Sequence, residues 1–239
     1  MKTLAQKMVF ITGTDTDVGK TVITAGLAAI FRRKGYKALA VKPYQTGTAS
    51  TFSDADIYDF DGAQEESRDN INPVTLEPSG APWAASRIAE TSFDYDAVLK
   101  RTRKLTKTHD ILFVEGVGGL CVPITGEKLV LDMVKELGCP LIIVARGRLG
   151  TINHSLLTIR AAQEAGIPVL GIIISGLTRG VDPVTDLNPE IIQHFTDTAV
   201  LGEIPVLLTL DLRRKRTDNL IQNLEKYIQC DVLEKKLFS

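Results

Sequence analysis

Cysteine is scarce and scattered. Cys121, Cys139 and Cys230 are the only three in 239 residues, and no two form a CxxC pair. That argues against a disulfide framework and against a zinc ribbon. The three read as buried filler or spare thiols. Long apolar runs are missing as well: none reaches the ~18 residues a membrane helix needs, so no membrane partner is expected. Net charge is almost absent, with 28 Lys and Arg against 29 Asp and Glu. Without a basic excess there is no sequence-wide field for coating nucleic acid, and no nucleic-acid partner is expected. Lys2 and Lys7 lead directly into a strand-like run rather than into the apolar stretch of a leader. A signal peptide is therefore not expected, and a reducing cytoplasm is the expected compartment. Internal repeats, low-complexity tracts and linkers are also missing.

What is present is ordinary globular composition, 44% hydrophobic and 24% charged. The length suits one large domain over residues 1–239. Surface scaling lets such a chain bury about 70% of its unfolded area, so no covalent staple is needed.

The apolar runs are short and consecutive: Met8–Ile11, Ala38–Val41, Ile111–Val114, Leu141–Ala145 and Val169–Ile174. Strands covered on both faces have this unalternating pattern, and parallel sheets are covered on both faces. Helical spacing fills the gaps at Val22–Phe31, Leu129–Leu137 and Ile152–Ala165. Gly35, Gly138 before Pro140, and Gly166 before Pro168 stand where these helices should stop. The alternation predicts an α/β three-layer sandwich: a mostly parallel sheet with helices on both faces, joined by right-handed crossovers. The stretch from Tyr44 to about Phe93 breaks the rhythm. It is rich in Asp, Ser, Thr, Pro and Gly, and an excursion that long in an α/β domain usually serves function. The basic run Arg213–Arg216 reads as a solvated helix entry.

The chemistry concentrates after the first strand, at Gly13-Thr14-Asp15-Thr16-Asp17-Val18-Gly19-Lys20-Thr21. A glycine loop between a strand and a helix aims several backbone N–H groups at one point, and the helix dipole adds positive charge there. Such a nest binds phosphate. Lys20 can reach the outer phosphates, and the Thr21 hydroxyl can ligate Mg²⁺. The spacing is a P-loop NTPase variant, with five residues between the glycines rather than four. Val18 is β-branched, so Gly19 is the expected position for unusual backbone geometry.

A metal on a triphosphate needs further oxygen ligands. Glu115 follows the strand Ile111–Val114 and precedes Gly116-Val117-Gly118-Gly119, at the carboxyl edge where α/β sites gather. Asp54, in the excursion, is the second candidate, with Asp56 an alternative. Lys42 ends the second strand, before Pro43-Tyr44-Gln45-Thr46-Gly47. Lys20 and Lys42 thus converge on one sheet edge. Two lysines exceed what nucleotide hydrolysis requires and suit an additional anionic substrate or a phosphorylated intermediate.

Together these segments resemble the dethiobiotin synthetase family of the P-loop NTPase superfamily. The matching pieces are Thr12–Thr21, Lys42–Gly47, Ser53-Asp54-Ala55, Asn72-Pro73 with Ala81-Pro82, Val114–Gly119, Leu149–His154 and Gly202–Pro205. They occur in the family's order. The resemblance implies an ATP- and Mg²⁺-dependent ring-closing carboxylation of 7,8-diaminononanoate with CO₂, in biotin synthesis, through a carbamate and a carbamic-phosphoric anhydride. It implies Lys20 and Lys42 as catalytic cations and Thr21, Asp54 and Glu115 as metal ligands. The loop residues 13–21, Gly116 and Gly118, Ser175 and Gly176, and Pro205, Val206 and Leu207 would line the nucleotide. Thr16 and Thr46 would contact diamine or carbamate. A homodimer is implied, with the substrate carboxylate meeting a partner's helix start at Gly150, Thr151 and Asn153.

One departure stands out. Many members carry an Asn that reads the adenine base where this chain has Ser175. A single hydroxyl cannot offer the paired donor and acceptor of an amide, so relaxed base selectivity is expected. Two rivals share the scaffold. Cobyrinate-amidating ligases carry a glutaminase domain for which this chain has no room. A partitioning or septum-positioning ATPase switch usually has a Lys after the first loop glycine, where this chain has Thr14.

Overall fold

The computed structural model describes residues 7–48, 53–178, 180–208, 210–211, 217 and 219–238. The basic run Arg213–Arg216 lies outside the described residues. In chain order, β1 (Met8–Gly13) leads through the glycine loop into α1 (Lys20–Arg33), β2 (Ala38–Val41) and β3 (Tyr44–Thr46). A 3₁₀ turn at Asp54–Asp56, α2 (Arg68–Ile71), β4 (Val74–Leu76), α3 (Pro82–Ile88) and α4 (Tyr95–Leu105) precede β5 (Ile111–Glu115). There follow α5 (Val130–Leu137), β6 (Leu141–Arg146), α6 (Thr151–Glu164), β7 (Val169–Leu177), α7 (Pro183–Asp186) and α8 (Asn188–Thr196). The chain continues through β8 (Val200–Pro205), α9 (Leu220–Tyr227) and α10 (Cys230–Phe238).

Six strands form one sheet in the order β2-β5-β1-β6-β7-β8, every pair parallel. The uninterrupted apolar runs are its buried centre: β2 and β5 are buried at every residue and β1 from its second residue onward. The crossover from β1 through α1 to β2 runs one way along the sheet, and that from β6 through α6 to β7 runs the other. With right-handed crossovers the two helices fall on opposite faces, which gives the three layers expected from the alternation. The chain reverses direction beside β1, and in open α/β sheets ligands bind in the crevice at such a switch point.

The helices stop where glycine permits a left-handed residue. Gly35 has φ 90°, Gly138 67° and Gly166 73°. Helix α4 starts on Asp94, whose carboxylate accepts from the Ala97 N–H at 2.9 Å. In α1 the starting cap is Gly19 itself, in the left-handed region at φ 98°. No acid stands in the first turn of α1, and Arg32 and Arg33 close its last turn. The positive pole of its dipole is thus free to face a ligand. Mid-helix, Gly26 lets α9 approach closely, since a Cβ there would fall 1.9 Å from Leu224 Cδ1.

The long excursion is built rather than loose in its described residues. Strands β3 and β4 pair in parallel, Tyr44 opposite Val74 and Thr46 opposite Leu76. Asn72 Nδ2 donates to the Lys42 carbonyl at 2.7 Å, and the Lys42 N–H donates to the Ile71 carbonyl at 2.7 Å. These two bonds anchor the end of β2 to the excursion.

Candidate active site

Register brings the chemistry together. Ile11 of β1 lies opposite Glu115 of β5, and Val41 of β2 opposite Val114. Glu115 therefore sits between the glycine loop and the residue after β2, which is Lys42. The Gly116 N–H donates to the Ile11 carbonyl at 2.9 Å. A Cβ on Gly116 would strike Phe10 at 2.7 Å, and one on Gly119 would lie 3.1 Å from the Gly13 carbonyl. The glycines after Glu115 thus let this loop lie directly against the phosphate loop.

A cavity of about 490 Å³ opens at this edge. Its lining includes Thr16, Asp17, Gly19, Lys20, Thr21, Lys42, Thr46, Asp54, Glu115 and Gly118 of the sequence-derived candidates, together with Val22, Gln45, Gly47 and Val117. The catalytic and metal candidates are all present. Thr14 and Asp15 instead border an adjoining hollow of about 360 Å³ against Leu157 and Ala161 of α6, which Thr16 and Gly118 share with the first cavity. Gly13, Thr14, Asp15, Val18, Gly116, Ser175, Gly176, Pro205, Val206, Leu207, Gly150, Thr151 and Asn153 lie outside the lining of the 490 Å³ cavity. Ser175 is nonetheless a neighbour of the loop, since a Cβ on Gly19 would meet its Oγ at 2.9 Å. Asp17 joins Gly19 in the left-handed region, at φ 53°.

The floor of the cavity is a closed polar network. Lys42 Nζ donates to Glu115 Oε1 at 2.8 Å and to Asp54 Oδ2. Thr21 Oγ1 donates to Glu115 Oε1 at 3.0 Å. Tyr58 OH donates to Glu115 Oε2 at 2.5 Å. Glu115 is 1% exposed, Lys42 6% and Tyr58 0%. Burial pulls the Lys42 pKa down, but the charges of Glu115 and Asp54 and their hydrogen bonds outweigh it, and the net shift is upward. Burial and then the Glu115 charge push the Tyr58 phenol well above its ordinary range, so it remains a donor. Lys20 moves the other way: burial lowers its pKa, Lys42 adds to the fall, and Glu115 opposes it. Its Nζ donates to the Asp15 carbonyl at 2.8 Å, across the glycine loop. Asp15 pairs with Arg146, and Thr46 Oγ1 donates to the Gly80 carbonyl at 2.8 Å.

Sequence reasoning missed Tyr58 and Arg146, neither of which belongs to a recognisable spacing. It also treated Lys42 as a cation waiting for an anion, whereas its ammonium bridges two carboxylates. Thr21, Asp54 and Glu115 all offer hard oxygens; Lys42 gathers the two carboxylates and Thr21 bonds Glu115, a set that suits a hard divalent cation. Among the described residues no cluster of three or more His, Cys, Asp or Glu could hold a metal, and no helix is long and apolar enough to cross a membrane.

An AAA domain family model matches residues 7–214. The ATP-dependent dethiobiotin synthetase BioD of Bacillus subtilis strain 168 is 36% identical over 200 residues, which cover 83% of this chain and 87% of that protein. The BioD of Thermodesulfovibrio yellowstonii is 37% identical over 217 residues, covering 84% and 90%.

The chain belongs to the dethiobiotin synthetase family.

It is an ATP-dependent cyclo-ligase of biotin biosynthesis on a P-loop NTPase scaffold. Solved structures resemble it in fold at much lower identity. The MinD cell division protein of Aquifex aeolicus superposes with a TM-score of 0.59 at 14% identity, covering 97% of this chain and 96% of that one. The septum site-determining protein MinD of Pyrococcus horikoshii, complexed with Mg-ADP, gives 0.55 at 17%, covering 96% and 93%. These likenesses establish the parallel-sheet architecture and nothing about the reaction.

Proposed function

We propose that the cavity carries out the ring-closing carboxylation of 7,8-diaminononanoate with CO₂ and ATP, which would make the dethiobiotin in its relatives' names. The supporting observation is the meeting of Lys20, Lys42, Thr21, Thr46, Asp54 and Glu115 around one cavity beside the glycine loop. One amine nitrogen attacks CO₂, loses a proton and becomes a carbamate. A carbamate oxygen takes the γ-phosphoryl group, and the bond to the ADP oxygen breaks. The second amine attacks the carbamoyl carbon, phosphate leaves, and a proton is lost as the cyclic urea closes. No covalent protein nucleophile is required, because the substrate carries its own.

The protein's part is charge and position. The loop N–H groups and the start of α1 hold phosphate oxygens. Lys20 leaves its carbonyl contact with Asp15 to meet the outer phosphates. Lys42 neutralises charge where carbamate and phosphate oxygens approach each other. Thr21, Asp54 and Glu115 would hold Mg²⁺, which when bound screens the phosphate oxygens and acts as a Lewis acid. Thr16 and Thr46 face the carbamate or diamine, and a partner protomer's α6 start at Gly150, Thr151 and Asn153 takes the substrate carboxylate in a homodimer. Helix α6 has no acid in its first turn and no side-chain cap, which leaves N–H groups for that carboxylate. Ser175 lies beside Gly19 rather than presenting an amide to the base, and selectivity among nucleoside triphosphates is weak.

The test is phosphate release with Mg²⁺, ATP and bicarbonate, with and without the diamine, and product mass alongside. Diamine-dependent release with a cyclic urea product supports the reading. Release that ignores the diamine turns it toward an ATPase switch. Parallel assays with CTP and GTP test Ser175, and a strong ATP preference overturns that part.

A further inference from the structure

One buried hydroxyl at this site has no role in the chemistry above. Among the described residues Tyr58 contributes the one bond to Glu115 Oε2, while Thr21 and Lys42 share Oε1. A phenylalanine would fill the same space, so packing alone does not account for the phenol. Its segment is pinned from outside the cavity. Arg32, at the end of α1, donates to Asp61 Oδ1 at 2.6 Å and Oδ2 at 2.9 Å. The same guanidinium donates to the Tyr58 carbonyl at 3.3 Å and to the Ala38 carbonyl of β2 at 3.1 Å. The turn that carries Asp54 therefore continues into Tyr58 and is clamped onto the sheet three residues later.

A carboxylate free to rotate presents either oxygen to its surroundings. Here Oε2 is committed to the protein interior, and Oε1 alone faces Thr21 and Lys42. We propose that Tyr58 is a positioning residue that locks the Glu115 carboxylate with Oε1 toward the cavity and so sets the affinity of the site for a divalent cation. The Arg32–Asp61 pair is the brace that holds Tyr58 in place for this task. The inference rests on the reading of Glu115 as a metal-holding residue. Outer partners of ligating carboxylates are worth about 10–100-fold in metal affinity.

The experiment compares Tyr58→Phe with the unaltered protein in three measurements. These are Mn²⁺ binding in the presence of ADP by electron paramagnetic resonance, the Mg²⁺ activation constant, and KM for the diamine. The Mn²⁺ Kd and the Mg²⁺ activation constant should both rise about 10–100-fold, with diamine KM unchanged and turnover recovered at saturating Mg²⁺. A purely structural hydroxyl would lower the melting temperature and leave both metal constants alone, and that result overturns the inference. Should Tyr58→Phe fail to fold, Asp61→Asn is measured in the same way. It loosens the brace without touching the cavity; a raised Mn²⁺ Kd supports the inference and an unchanged one overturns it. If the unaltered protein binds no Mn²⁺ with ADP and shows no diamine-dependent phosphate release, the functional reading falls together with the inference. Normal behaviour of the unaltered protein with an unaffected variant removes the inference alone.

Discussion

The same four residue types meet twice in this molecule, with the same bonding. In the cavity Lys42 bridges Asp54 and Glu115, and Tyr58 donates to the other Glu115 oxygen. Where α10 meets the end of α1, Lys34 bridges Asp231 and Glu234, at 2.6 and 2.7 Å, and Tyr36 donates to the other Glu234 oxygen at 2.7 Å. What differs is burial and company. Glu115 is 1% exposed beside the glycine loop, whereas the Glu234 side chain is 25% exposed and Asp231 87%. An exposed cluster can lose a member and let water replace it. A buried one leaves an uncompensated charge. The constellation by itself therefore says nothing of function; the glycine loop beside it does.

The sharpest way to break the comparison is to remove each lysine. Lys42→Ala should lower kcat by about 10²–10³-fold, the scale for losing one preorganised stabilising group, and should move nucleotide affinity much less. Lys34→Ala should leave kcat unchanged. Equal losses of turnover and of nucleotide affinity in Lys42→Ala would count against its placement at the developing charge.

The tyrosines extend the contrast at a smaller scale. Tyr36→Phe should leave the Mn²⁺ Kd where it is, while Tyr58→Phe raises it. The Tyr36 phenol is pushed up to about 12, by burial first and then by its bond to Glu234. It is therefore a neutral donor at working pH, as Tyr58 is, and any difference between the variants comes from location.

Glu234→Gln tests the surface cluster as a staple. An exposed ion pair is worth at most about 1 kcal/mol, which for a chain of this size is a Tm loss of about 2–4 °C. Activity should not change, and a large loss of activity would show that α10 communicates with the cavity.

The same cluster sets a pH dependence of equal size. The bond and charge of Lys34 hold Asp231 below its ordinary pKa, and the bond from Lys34 holds Glu234 down against the opposing effect of burial. Lys34 itself is raised, since its two carboxylate partners outweigh the burial that would lower it. A depressed carboxylate stabilises the fold above its unfolded pKa, near 4.3 for Glu. That stability is lost as pH falls through the folded value. A raised lysine stabilises below its unfolded value, near 10.4. That stability is lost as pH rises through the folded value. The Tm gap between the unaltered protein and Glu234→Gln should therefore be full from pH 5 to 10 and should close toward pH 3, by about the 2–4 °C already given. Calorimetry across that range checks it, and a gap independent of pH would assign the effect to packing.

Much of this was legible in the residues. Five of the six strands of the main sheet announced themselves as consecutive apolar runs because both faces are covered. The glycine loop between a strand and a helix was legible from Gly13 to Thr21, and Gly19 does hold the left-handed residue expected beside Val18. Lys42 and Glu115 stood out as strand-end charges. Strands β3 and β4, of three residues each, are too short to show a period. Strand β8 was noticed only as part of the Gly202–Pro205 motif, because its apolar residues are broken by Gly202 and Glu203. Tyr58 was invisible because its partner lies 57 residues away and nothing in a turn marks an aromatic as a donor. The likeness of the two lysine clusters was out of reach for the same reason: each joins residues distant in sequence, and only register and packing bring them together.

The contact between Gly26 and Leu224 has a consequence for how the protein is made. Helix α1 leaves the ribosome before its covering helix α9, which follows about 200 residues later. At about 5–20 residues per second, that is about 10–40 s of synthesis. Through that interval the face of α1 that ends beneath Leu224 has no native cover, and β1 waits for both of its neighbours, β5 and β6. The glycine loop lies between β1 and α1, and its contacts with Val144 and Gly119 form only once those later residues have been made.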